Sequence, residues 1–346
     1  MKTPGGLEGR RIQKTGGSTY IVSLPKTWVT ARGLRAGDLL LFSSHPDGSL
    51  TLYTEETPRP ERHRRVVNLA NNMDRDHLFR LLVAEYIAGA PLLEVRTAGR
   101  MNARTREAIR EFAQRMIGPE ILEETSEAVI LQDVLGGNPL PLPSVVRRMY
   151  HMARAMQGDA ITAFENQDEA ISEDVRERDW EVDRLHWFVQ KQVTSALRDQ
   201  RRLSGLGLTL LECATFLLAS RVLERIADHA VRIAETTALA KGSRLPSETV
   251  ETLRKFSTDA LAGLEAAVET LYSGDVPRAN EVLDEMGRLV RRGQELLDNF
   301  LSRPGRIAVA LAYVLESLER TALYASDLAE IAINHAVQIQ TTAIAS

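Results

Sequence analysis

The order of apolar and polar positions divides the chain into three regions. Up to residue 54 the pattern is short and β-like, with Thr19 to Leu24, Leu39 to Phe42 and Ser49 to Tyr53 rich in strand formers. Turn signals separate these runs, Thr15-Gly16-Gly17-Ser18 and His45-Pro46-Asp47-Gly48. A further strand is expected at Arg10 to Lys14. Pro25 can open a short helix through Arg32, because a first-turn position needs no N–H, and Gly33 can end it. The order is ββαββ over residues 1–57. So small a unit buries too little apolar surface alone, so two copies are expected to share a core as a homodimer.

Thr57 to Arg62, with two prolines among polar residues, reads as a linker. Residues 60–135 then alternate between strand and helix patterns. Strands are expected at Val66 to Leu69, Leu92 to Val95, Glu120 to Glu123 and Ala128 to Leu131, and helices at Asp74 to Ala88 and Thr105 to Met116. This small α/β unit contains no phosphate-binding glycine loop and no cluster of catalytic residue types, and its role is not legible. Gly136 to Pro143 marks the next boundary. From Ser144 onward everything reads as long helices, with breaks near Gln167, Ser204-Gly205, Gly242 to Pro246, Ser273-Gly274 and Arg303-Pro304-Gly305. Six helices result, in two sets of three, at 144–241 and 246–340. A loose internal repeat agrees with that division. Ser220 to Arg225 resembles Leu315 to Arg320, and each copy reaches an Ala-Glu pair at the same distance, Ala234-Glu235 and Ala329-Glu330.

Charge sharpens the picture. Residues 1–54 carry seven basic side chains against three acidic ones, a net +4 in a chain whose total is −4, so the remainder carries −8. A basic head on an acidic body points the head toward a polyanion. The single cysteine, Cys213, excludes an internal disulfide framework and a cysteine-rich zinc site, and its leucine-rich surroundings suit an inert buried thiol. No spanning helix and no signal peptide is expected, which places the protein in the cytoplasm.

The basic residues Arg10, Arg11 and Lys14 flank the first hairpin, and Lys26, Arg32 and Arg35 surround the short helix. Such side chains suit contact with the phosphate backbone of DNA. The same stretch, Gly9-Arg10-Arg11-Ile12-Gln13-Lys14, Gly17 to Lys26 with its Leu-Pro-Lys turn, and Gly33-Leu34-Arg35-Ala36-Gly37-Asp38, resembles the SpoVT/AbrB domain. That resemblance implies a swapped-hairpin dimer that binds DNA.

In the helical body the informative groups are paired carboxylates. Asp179 with Asp183, and Glu224 with Asp228, each stand at i, i+4 and so share one side of a helix. Four such groups could present an all-oxygen site to a hard cation. Equally, they could be solvated acids with Arg178 and Arg225 as counter-ions. On a helical wheel Glu224 and Asp228 lie opposite the stripe Leu218, Val222, Ile226 and Ile233, so they are expected to point away from that core seam. His229 falls on the stripe, as a core histidine. Asp183 and His186 have the i, i+3 spacing of di-metal bundles, but only one such motif is present.

Leu223 to Glu235, with Glu224-Arg225-Ile226-Ala227-Asp228-His229-Ala230 at its centre, resembles the signature helix of PhoU proteins, and Asp179 to Asp183 resembles that family's other acidic motif. The resemblance runs from Ser144 to Gln340. It implies two three-helix bundles in tandem, a role in regulating phosphate uptake together with the phosphate transporter and its signalling kinase, and acidic motifs that bind divalent or ferric metal ions. The second repeat departs from the pattern. Glu319, Leu323 and Tyr324 stand where Glu224, Asp228 and His229 stand in the first. Asp179 and Asp183 correspond to Leu283 and Gly287 or to Met286 and Val290, and only a third register offers Glu281 and Glu285. A full metal site is therefore expected in the first bundle alone.

The sequence thus reads as a multidomain regulator of phosphate homeostasis that binds DNA through its head as a dimer. The alternative is an adaptor that docks on a transporter or kinase and uses the β domain only to dimerise. No nucleophile or acid/base pair in a defined pocket suggests an enzyme.

Overall fold

The computed structural model describes residues 8–44, 48–54, 64–70, 73–135, 140–243, 245–303 and 305–344. The chain divides into two units, Met1–Pro58 and Arg59–Ser346.

In the first unit, β1 (Gln13–Thr15) and β2 (Thr19–Ile21) form one antiparallel hairpin, and β3 (Leu40–Ser44) and β4 (Leu50–Thr54) form a second, with α1 (Lys26–Ala31) between them. The order is the ββαββ expected. β1 begins at Gln13 rather than Arg10, because the turn at Gly16 (φ +64°) pairs Thr15 with Thr19 and β2 ends at Ile21. The expected turn at 45–48 lies, except for Gly48, outside the described residues, and the linker at 57–62 lies wholly outside them. Among the described residues the two hairpins do not join into one sheet. None of those residues is fully buried. Tyr20 is 68% exposed and Phe42 61%. A lone two-stranded hairpin is marginal in water, and these apolar side chains have no core of their own.

The second unit opens with a four-stranded sheet in the order β5 (Arg64–Leu69), β6 (Leu92–Thr97), β8 (Ala128–Asp133), β7 (Pro119–Glu124). β5 and β6 are parallel, as the crossover through α2 (Arg75–Ile87) requires, and the other pairings are antiparallel. Asp74 and Asn102 cap α2 and α3 (Ala103–Arg115) by accepting backbone N–H bonds of their first turns. Val67, Leu93, Val95, Val129 and Leu131 cover one sheet face with Leu78, Leu82, Ile109 and Phe112 from the helices.

The helical body consists of α4 (Leu142–Asn166), α5 (Glu169–Arg198), α6 (Gln200–Leu206), α7 (Leu210–Ala240), α8 (Ser247–Ser273), α9 (Val276–Leu301) and α10 (Arg306–Ile344). α4 begins inside the stretch read as a linker, with Pro143 in its first turn, where proline is tolerated. The break expected at Ser204-Gly205 is displaced. Those residues lie within the short α6, and the chain turns instead at Asp199 and at Gly207 (φ +66°). Thr209 and Glu212 then start α7 with a reciprocal capping box. The other expected breaks hold, with Gln167 and Gly274 in left-handed C-cap conformations.

The two sets of three long helices share one continuous core. α7 packs on α4 and α5 of its own set and on α10 of the other. A buried polar chain also crosses between the sets. Thr321 Oγ1 donates to Gln157 Oε1 (2.7 Å), and Gln157 Nε2 donates to Ser257 Oγ (3.1 Å). Since each of these groups is satisfied, the chain fixes the register of α4, α8 and α10 without leaving a buried orphan.

The α/β layer is seated on α5. Phe79 of α2 lies 5.1 Å from Trp180 and 6.0 Å from Trp187, centroid to centroid, and Arg115 stacks over Trp180 at 4.5 Å. Lys191 reaches from α5 to Asp133 at the end of β8, Nζ to Oδ2 2.7 Å, and lies over the Tyr86 ring. The Lys191 side chain is only 4% exposed, so this is a buried ion pair. Asp133→Ala leaves the ammonium without its counter-charge and is expected to cost about 3–5 kcal/mol, whereas Lys191→Met refills the space and removes the charge, and should cost far less. Urea unfolding followed by the fluorescence of Trp180 and Trp187 measures both. Equal losses in the two variants would contradict the assignment.

Candidate functional sites

Two places carry the chemistry anticipated from the sequence. In the first unit, Arg10, Arg11, Lys14, Lys26, Arg32 and Arg35 are all exposed. Arg10 and Arg11 precede β1, and Lys14 is on β1 opposite Tyr20. Lys26 begins α1, Arg32 caps its C-terminus, and Arg35 lies in the turn that follows. That turn is built by Asp38, whose Oδ2 accepts from the Arg35 backbone N–H at 2.7 Å. Arg10 forms an ion pair with Glu8, which neutralises part of its charge.

The second place is the seam between α5 and α7. Asp179 and Asp183 project from α5 toward Glu224 and Asp228 of α7, and each set feels the charge of the other. Burial, with the negative field of Asp228 and Glu235, pushes Asp179 up to about 6. Burial, together with Asp179, Glu224 and Asp228, pushes Asp183 up to about 7. Glu224 is raised by burial and by Asp228, and Asp228 by burial. Burial and repulsion act in the same sense here, since both disfavour the ionised carboxylate.

The expectation that Glu224 and Asp228 face away from the core is half wrong. Glu224 is buried, while Asp228 is partly exposed. The wheel argument assumed one apolar stripe, but α7 is enclosed by three long helices, so most of its circumference is interior. Leu218, placed on the stripe, is exposed instead. Of the two expected counter-ions, Arg225 stands beside the α7 pair and Arg178 does not. Arg178 turns to Asp159 and Asp174. Arg221, not anticipated, donates to Glu224 Oε1 at 2.8 Å, and Arg225 lies 3.8 Å from Glu224 and 3.6 Å from Asp228. The i, i+3 spacing of Arg221 and Glu224 was the available signal.

The α7 pair is therefore approached by arginines, yet Oε2 of Glu224, like Oδ1 of Asp179, is buried with no hydrogen-bond partner. Among the described residues, no group of three or more His, Cys, Asp or Glu side chains is close enough to hold a metal ion. The donor types suit a hard cation, but the arginines stand in the arrangement described. His186 borders the cluster without joining it. Its Nε2 accepts from Gln190 (2.8 Å), so its Nδ1–H donates to Ser220 Oγ (3.0 Å), and burial lowers its pKa to about 4. His229 is half-buried against Tyr324, and its Nδ1 lacks a partner, unlike the satisfied core histidine expected.

The second bundle differs at each matching point. Glu319 lies over Gly293 of α9, so closely that a methyl group there would collide with its carboxyl. Glu281 and Glu285 are drawn to Arg278 on their own helix. Cys213 is buried, and burial pushes its thiol up to about 11, as an inert core cysteine requires.

Residues 146–237 match the family model of the PhoU domain, and residues 13–64 match that of the antidote-toxin recognition MazE, bacterial antitoxin. A phosphate-specific transport system accessory protein PhoU homolog of Xylella fastidiosa is 27% identical over 97 residues, 28% of this chain and 38% of that relative. The chain thus spans about two fifths of the length of the curated relative it matches. Two solved structures are similar. The phosphate transport system regulatory protein PhoU from Streptococcus pneumoniae has a TM-score of 0.47 at 18% identity, over 56% of this chain and 92% of that one. PhoU from Pseudomonas aeruginosa has a TM-score of 0.48 at 20% identity, over 57% and 95%.

Proposed function

We propose that this PhoU-family chain, with its AbrB-like N-terminal domain, is a DNA-binding regulator of phosphate uptake that acts as a cytoplasmic homodimer. The observation that carries the reading is the first unit. It presents six exposed basic side chains on a scaffold that has no buried residue among the described ones. Pairing two such units covers Tyr20, Phe42 and their apolar neighbours and doubles the basic surface. Affinity from phosphate contacts falls linearly on a log–log plot against salt. Light scattering of the intact chain at micromolar concentration should report at least a dimer, and duplex DNA titrated between 50 and 200 mM salt should show steeply salt-dependent binding. A dimer that binds no DNA at low salt supports the adaptor reading instead, with a transporter or kinase as partner.

The PhoU body is the sensing part. Asp179, Asp183, Glu224 and Asp228 would hold a divalent or ferric ion once Arg221 and Arg225 move off the α7 carboxylates. When bound, the ion would neutralise four mutually repelling acids and draw α5 and α7 together. α5 carries Asp179 and Asp183 on one side and Trp180, Trp187 and Lys191 against the α/β layer on another, so a shift of α5 is felt on both.

A further inference from the structure

One face of the β5–β6–β8–β7 sheet is covered by α2 and α3, and the other carries a charge gradient. Strand register sets it. Arg64, Leu92, Gln132 and Glu120 form one row across the sheet, and Val66, Glu94, Ile130 and Glu123 the next. At the β5 side, Arg64 and Arg96 both bind Glu94, the former through Nε at 2.6 Å. Glu94 is 2% exposed although it lies on this face, so the two arginine stems roof it and the trio keeps one net positive charge. At the β7 side, Glu120 and Glu123 are exposed. Their neighbour Glu124 is drawn by Arg106 and Arg110 toward α3. Val66 and the bulge residue Leu122 add apolar surface at opposite edges, both largely exposed.

A face that is positive at one edge and negative at the other is complementary to itself under a two-fold axis along the strands. We infer that the open sheet face packs on the same face of a second copy of this chain, β5 of one protomer over β7 of its partner, in an isologous contact. Four strands about 4.8 Å apart and six residues long cover about 400 Å² per protomer. That is roughly half of what a stable standard-size interface buries, so the contact needs help. The proposed head dimer supplies it. Only residues 55–63 separate β4 from β5, a connection that spans at most about 35 Å. Joined heads therefore turn sheet pairing into an intramolecular event at high effective concentration. The α/β layer becomes the second clasp of the dimer and holds the two α5 helices in a fixed relation. This inference rests on the head dimerising.

The test uses the full chain with Val66→Cys and Leu122→Cys together, treated with a short bismaleimide and run on a denaturing gel. Both positions are exposed and three strand spacings apart within one protomer, about 14 Å, while β5 faces the partner's β7. The double variant should give cross-linked dimer about tenfold above either single variant. Adding Glu120→Lys and Glu123→Lys should remove that product. A dimer by light scattering with no product above the single variants overturns the sheet contact and leaves the head dimer standing. A monomer with no product overturns both. Product that survives the lysine substitutions overturns the charge complementarity on which the arrangement rests.

Discussion

Replacing Arg11 and Lys14 together by alanine should weaken DNA binding at every sequence and flatten its salt dependence. Both side chains are exposed at the first hairpin. In a dimer the double substitution removes four cations. If each contacts a phosphate, the slope of log K against log salt falls by roughly 3 to 4, and low-salt affinity by roughly a hundredfold or more. The loss should be uniform across sequences, because phosphate contacts carry no base information. Circular dichroism should be unchanged, since neither residue packs in a core. Fluorescence anisotropy on one duplex at four salt concentrations measures the effect. Parallel salt plots for the variant and the unaltered chain would remove these two residues from the interface.

The second large effect concerns the acidic seam. Asp183 is raised to about 7 in the folded protein, whereas an unfolded aspartate titrates near 3.9. The folded state therefore holds its proton more tightly. The seam favours folding fully below about pH 4, and that contribution is lost progressively as pH rises through about 7. In chelator at pH 8, Asp183→Asn should thus raise the melting temperature by several degrees, with a gain of about 2 kcal/mol after allowance for partial exposure. At pH 4 the gain should vanish. The same substitution should abolish any rise in melting temperature produced by added Mn²⁺ or Fe³⁺, because a neutral amide no longer needs the cation. Asp228→Asn should likewise lower bound metal, whereas Glu319→Gln should not, since Glu319 faces a glycine rather than a second acidic pair. Metal kept by Asp228→Asn and lost from Glu319→Gln would move the site to the other bundle.

Much of the architecture was legible because it is local. Strand runs, glycine turns, caps at Asp74, Asn102 and Thr209, and the punctuation at Gln167 and Gly274 all act within a few residues of themselves. What escaped is non-local. A helical wheel for α7 cannot show that α5 packs over the side that carries Glu224, so the burial of Glu224 was missed. Arg221 is the exception, a local i, i+3 partner of Glu224 that the spacing did offer. Nothing near Asp133 announces Lys191, fifty-eight positions away, so the seating of the α/β layer on α5 had no sequence signal. The break before α7 was misplaced because Ser204-Gly205 is the stronger composition cue, while the geometry of the turn belongs to Gly207.

If the head reads DNA on behalf of a phosphate-regulating body, the intact protein should select particular genomic sites. Incubating the intact protein with sheared genomic DNA of its own source at about 150 mM salt, then sequencing what it retains, tests this most directly. The expected result is a small set of enriched fragments, concentrated beside genes for phosphate uptake, whose recovery drops with Arg11→Ala/Lys14→Ala. Uniform recovery of all fragments, or retention of none by a folded dimer, would contradict it.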